Sequence, residues 1–102
     1  MSAYIVALID IHDTEKYAPY AEQFDFASFT NDHGGEVLVV SDTAENVEGE
    51  WTHGRLVVLK FPSADDARAW YDSDAYKDVR EIRWAHSDSE LSLHLGMDEV
   101  PA

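Results

Sequence analysis

Cysteine is absent from this 102-residue chain, which excludes disulfides and thiolate zinc sites. Long apolar runs are absent as well. The opening stretch MSAYIVALIDIHD carries no basic leader, and its apolar run breaks at Asp10. It is too short for a membrane span and wrong for a signal peptide, so a soluble cytoplasmic protein is expected. The five histidines, at 12, 33, 53, 86 and 94, show no i, i+4 pairing, and no metal site is predicted. There is no G-x-S-x-G, no P-loop and no dinucleotide fingerprint. No cofactor is indicated, although a haem held by one axial histidine would leave no sequence signature.

Positive charge is scarce. Seven Lys and Arg stand against 21 Asp and Glu, for a formal net charge of −14. Such a surface repels phosphate, so neither nucleic acid nor an anionic membrane is an expected partner. Only Lys16, Lys60 and Lys77 represent lysine. Two readings fit: adaptation to high salt, where screening relieves self-repulsion, or an ordinary acidic soluble protein.

What is present is a patterned chain with 45% apolar residues, enough for one domain over 1–102. AYIVALIDI, residues 3–11, alternates as a strand. DTEKYAPYAEQFDFASFTNDHGG reads as one helix capped by Asp13, disturbed early by Pro19 and stopped by Gly34-Gly35. EVLVVS and RLVVLKF are strands separated by a polar loop. Ser63 caps a second helix, Ser73 caps a third, and ELSLHL closes as a strand. The order β-α-β-β-α-β predicts an α+β, ferredoxin-like sandwich: four antiparallel strands in the order 4-1-3-2, helices on one face. Trp70 and Tyr71 are assigned to helix–sheet packing, and Tyr76 is left less defined.

Helices on one face leave the other unpartnered. Its candidate residues include Tyr4, Leu8, Leu38, Val40 and Val58, with Asp10, Lys60, Ser92 and His94 among them. A half-apolar face of that extent marks an interface. Two such sheets packed about a two-fold axis would make a barrel across a homodimer, enclosing a chamber for a small ligand.

The stretches AYIVALIDIHDTEKYAPY, HGGEVLV, EGEWTHGRLVVLKFPSADDARAWYDSDAY and DVREIR resemble the small bacterial domain of unknown function numbered thirteen-thirty, within the dimeric α+β barrel superfamily. The resemblance covers nearly the whole chain. It implies the fold and dimerisation, and no assigned reaction. Members of the wider superfamily include cofactor-free monooxygenases, muconolactone-isomerase-like enzymes and haem-degrading proteins. The chain departs from the family pattern at Val40, Ser41-Asp42 and Lys60.

Three residues are candidate acid–base groups. Asp10, at a strand end facing the expected chamber, could act as a base; its alternative is an ion pair with Lys60 across strands 1 and 3 read as parallel. His94 should point into the barrel beside Tyr4. His33 sits where a protonated imidazole would favour a helix C-terminus. Arg83 is the candidate anion binder, and Tyr4, Leu8, Leu38 and Val58 are candidate ligand contacts. The function expected is binding of a small, largely apolar or aromatic molecule, with cofactor-free isomerase, lyase or monooxygenase chemistry; the alternative is a non-catalytic carrier, stress or accessory protein. If the acidity is a high-salt adaptation, melting temperature rises steadily with KCl; a flat melting series overturns that reading.

Overall fold

A computed structural model describes residues 2–97. The elements are β1 (Ala3–Ile11), α1 (Thr14–Glu22), a π-helical turn (Ser28–Asp32), β2 (Glu36–Ser41), β3 (Arg55–Phe61), α2 (Ala64–Tyr71), α3 (Asp74–His86) and β4 (Ser87–Leu95). The sheet order is β2-β3-β1-β4, with every neighbouring pair antiparallel. This is the ferredoxin-like arrangement that the element order predicts. β4 begins three residues earlier than the alternation around Leu91 indicates. The predicted tail lies partly outside the described residues, which end at 97.

Alternation along β1 sorts its side chains cleanly. Ala3, Ile5, Ala7 and Ile9 are buried beneath the helices, while Tyr4, Val6, Leu8 and Asp10 face the other way and are only half-buried. Phe29, Phe61, Trp70, Tyr76, Val79 and Leu59 join Ile5 in the main core. Burying each large apolar side chain is worth roughly 1.5–3 kcal/mol. Trp70 and Tyr76 lie 4.1 Å apart, centroid to centroid, and Phe29 meets Phe61 edge-on at 5.4 Å. Trp70 and Tyr76 are therefore buried in this layer, whereas Tyr71 stays half-exposed with Arg80 stacked on its ring at 4.8 Å.

The single long helix expected after β1 is instead two pieces. Asp13 caps α1 by accepting from the Glu15 and Lys16 amides. Pro19 sits inside this helix and leaves Glu15 without its usual amide donor; the helix ends at Glu22. Asp25 then receives the Ser28 amide and starts the π-helical turn, which swings Phe29 into the core. The break has a physical basis: Phe24 and Phe29, five apart, would point about 140° away from each other on one straight helix, yet both pack against Trp70.

Two further expectations are corrected. Strands β1 and β3 are antiparallel, not parallel, so Lys60 pairs in register with Tyr4, at the opposite end of β1 from Asp10. In β2 the register shifts between Val37 and Val39, a bulge at Leu38. Val39 then opposes Val58 on the open face, and Val40 opposes Val57 on the helix face. Strict alternation had placed Val40 on the open side.

The turn into β2 is tightly determined. Gly34 has φ +68°, and a Cβ on Gly35 would clash with the Phe29 ring. Phe29 is 1% exposed and cannot retreat. Gly35→Ala is expected to destabilise the protein by about 1–3 kcal/mol, as overpacking does, read as a lower chemical-denaturation midpoint at unchanged slope.

Candidate functional site

The helices do not cover the sheet evenly. α2 and α3 pack on it, whereas α1 leans mainly on α3. Between α1 and the β3–β2 half of the sheet lies an apolar cavity of about 150 Å³, open on one side. Ala7 and Ala21 contribute no bulk there, and Ile5, Ile9, Val57, Leu59 and Leu91 form its sheet wall. Phe24 and Trp70 close the aromatic end. The β2 bulge brings both Val37 and Val40 to the mouth, where they and Phe26 are 43%, 59% and 55% exposed.

Polar groups enter this cavity at few points. Tyr17 and Tyr20, three apart on α1, share its inner face. Tyr76 and Arg83 do the same on α3, seven apart and both buried. The Tyr20 and Tyr76 hydroxyls lie 2.7 Å apart, Arg83 Nε donates to Tyr76 Oη at 3.3 Å, and Arg83 Nη1 donates to Ser89 Oγ. A chain of hydrogen bonds thus runs from α1 through α3 to β4. Burial, then the Tyr76 hydroxyl, push the ionisation of Tyr20 far above the ordinary tyrosine value. Burial also raises Tyr17, to about 12, against the pull of the nearby Arg55 and Arg83 charges. Burial works against the Arg83 charge too, but the surrounding tyrosines, Tyr76 first and then Tyr20 and Tyr71, together outweigh it, and its pKa lies above the ordinary arginine value. At the mouth, Arg55 is gripped by both oxygens of Asp42 at 2.6 and 3.0 Å, which holds the Asp42 carboxyl below its usual range.

The candidate residues of the sequence divide between the two faces. Arg83 lines the helix-side cavity, not a chamber on the open face. Asp10 stands across the sheet from it. Its Oδ1 accepts the Gly54 amide at 2.7 Å and its Oδ2 lies 3.4 Å from His53 Nδ1, so it fastens the end of the 42–54 loop rather than pairing with Lys60. His94 lies opposite Tyr4, as the alternation predicts, exposed and 2.7 Å from Ser92 Oγ. Leu8 and Val58 are also on the open face, with Leu38 at the bulge. His33 follows the π-helical turn and is half-buried, its amide donating to Thr30 O. Apart from Arg83, none of the candidate site residues, Tyr4 included, lines the cavity. No set of three or more His, Cys, Asp or Glu among the described residues could hold a metal ion.

The cavity's tyrosines were not singled out from the sequence as site residues. Their spacing was a signal: Tyr17/Tyr20 and Tyr76/Arg83 each fall on one helical stripe, but such a stripe reads equally as core. The Tyr17 shift has a defined consequence. The fold favours the neutral phenol, so its contribution is whole below pH 10, the ordinary value, and is lost as pH rises through about 12. Near-ultraviolet titration should show Tyr17 ionising about there, and Tyr17→Phe should make the alkaline fall in melting temperature shallower.

No curated protein matches the chain in sequence. In structure it is similar to a protein of unknown function from Rhodopseudomonas palustris, with a TM-score of 0.74 and 16% identity over 94% of this chain and 82% of that one. It is also similar to SnoaB, a cofactor-independent oxygenase from Streptomyces nogalater, with a TM-score of 0.62 and 14% identity over 99% and 98%. A third likeness is to a dimeric protein of unknown function and ferredoxin-like fold from Bacteroides fragilis, with a TM-score of 0.58 and 11% identity over 93% and 96%. No helix among the described residues is long and apolar enough to cross a membrane. Residues 2–97 match the domain of unknown function (DUF1330), and the chain belongs to that family.

Proposed function

We propose that the protein is a homodimer in which each protomer binds a small, largely apolar or aromatic molecule in its own helix-side cavity. The observation that carries the binding reading is the cavity itself: apolar walls, few polar groups, and an open mouth rimmed by exposed Val37, Val40 and Phe26. About 150 Å³ is the size at which apolar cavities accept a single benzene-like ring.

Dimerisation is supported by the opposite face. Val6, Leu8, Leu56 and Val58 remain partly solvated there, and β2 is exposed along Glu36–Val40. The molecule is only 16 Å thick in its shortest dimension. A single sheet covered on one side leaves an apolar area that a second copy would hide. The similar Bacteroides fragilis protein is dimeric. On this reading the open face serves assembly and the helix face serves the ligand.

The cavity lining contains no Asp, Glu or His. That favours a binding protein over an enzyme driven by a side-chain base. A second reading, oxidation of an activated phenol by dioxygen, is supported by the likeness to the oxygenase SnoaB. There the substrate would supply the electrons, and the tyrosine–arginine chain would only position it.

The test is titration with benzyl alcohol, followed through the intrinsic fluorescence of Trp70, which lines the cavity. Saturable binding is expected in the wild type, and its loss in Ala21→Trp, where a ring fills the space from the solvent-facing helix α1. Sedimentation of the same sample should give twice the 11.5 kDa protomer mass. No saturation by benzyl alcohol or by its anionic counterpart benzoate overturns the ligand reading, and 11.5 kDa particles at micromolar concentration overturn the dimer.

A further inference from the structure

Arg83 is 2% exposed, yet no carboxylate among the described residues lies within salt-bridge reach of it, in a chain with 21 Asp and Glu. Buried guanidinium groups are ordinarily paired, because an unpaired charge loses its hydration without recompense. Arg55, also at this cavity, follows that rule through Asp42. Arg83 does not. Its partners are two hydroxyls, Tyr76 Oη on Nε and Ser89 Oγ on Nη1. Nη2 has no partner among the described residues and is not one of the sealed, unsatisfied atoms, and Arg83 lines the cavity.

A second polar atom is in the same condition. Tyr17 is 4% exposed and lines the cavity, and its hydroxyl makes no hydrogen bond among the described residues, yet it too is not sealed off. The guanidinium and the phenol therefore both retain unused donors beside apolar walls of one-ring size. An oxyanion fits both: a guanidinium donates to ionised oxygen at roughly twice the strength it offers a neutral one, and a phenol adds a further donor. A neutral hydrocarbon would leave both groups unsatisfied. The surrounding negative surface repels anions at long range, so selection has to come from this local charge, where water is displaced.

We infer that the ligand is a one-ring organic anion, a carboxylate or phenolate, whose ionised oxygen is received by Arg83 with Tyr17 as second donor while its ring occupies the apolar part of the cavity. This rests on the ligand reading above and narrows it. It makes Arg83 the residue that sets specificity for charge and the Ile5–Val57–Leu59 wall the part that sets ring size.

The experiment compares matched probes on the wild-type protein by calorimetry: benzoate against benzamide, and para-nitrophenolate against nitrobenzene. Each anion is expected to bind at least about tenfold tighter than its neutral counterpart. Bound para-nitrophenol should ionise at lower pH than free, read from its visible absorbance. Which anion binds tighter separates a carboxylate from a phenolate site. Arg83→Met should erase the anion preference while keeping nitrobenzene binding, and Arg83→Lys should restore part of it. If Arg83→Met does not fold, the wild-type comparison and the absorbance shift decide alone. Neutral probes that bind as well as the anions, with no absorbance shift, overturn the anion inference and leave the ligand reading standing. Failure of all four probes overturns both.

Discussion

The Tyr20–Tyr76–Arg83–Ser89 hydrogen-bond chain is the constraint on which the helix-side cavity depends. It is the polar tie between α1 and the α3–β4 unit, and Tyr20, Tyr76 and Arg83 of it line the cavity. Because α1 leans on α3 rather than on the sheet, this tie helps keep the space beneath α1 open instead of collapsed. A hydrocarbon core of the same volume would be free to close over the alanines at 7 and 21. Hydroxyls held at 2.7 Å and a guanidinium at 3.3 Å define fixed positions, since leaving any of them unpaired in the interior costs about 1–3 kcal/mol.

The β2 bulge complements this from the other side. One extra residue at Leu38 lets Val37 and Val40 both reach the cavity mouth, while Val39 joins Val58 on the open face. A regular strand would put Val37 and Val39 on one face and give the mouth a different wall. The bulge therefore shapes both surfaces at once: it forms one wall of the cavity mouth and adds apolar area to the open face.

Much of this fold was legible in the sequence. The strands at 3–11, 36–41 and 55–61, and the caps Asp13, Ser63 and Ser73, follow directly from alternation and local hydrogen-bonding chemistry. The split after Glu22 was not, because Tyr17, Tyr20, Phe24 and Ala27 keep a near-helical spacing across it, and the break is decided by tertiary packing of Phe29. The bulge was hidden for a similar reason: EVLVVS is apolar at four successive positions, so neither face declares itself. For the site, Arg83 was legible as a candidate anion binder, but its face was not. An arginine on α3 belongs to the helix layer, and placing a ligand chamber on the open side of the sheet separated it from the residues it actually meets. The Asp10–Lys60 pairing failed on strand direction, which reverses the end of β1 that Lys60 reaches.

The division of chemistry between the two faces limits what reaction this site could support. The candidate carboxylate and imidazole, Asp10 and His94, lie on the open face, and both already have partners, His53 and Gly54 for the first and Ser92 for the second. In the helix-side cavity the titratable groups are tyrosines, of which Tyr17 and Tyr20 have their ionisation pushed up, and arginines that stay charged. Such a set donates hydrogen bonds and stabilises negative charge, but none of its members accepts a proton readily near neutrality. Any transformation there would have to start from a molecule that arrives already ionised, or ionises against Arg83. On the proposed reading, binding and reactivity would both depend on a single property of the ligand, the acidity of its oxygen.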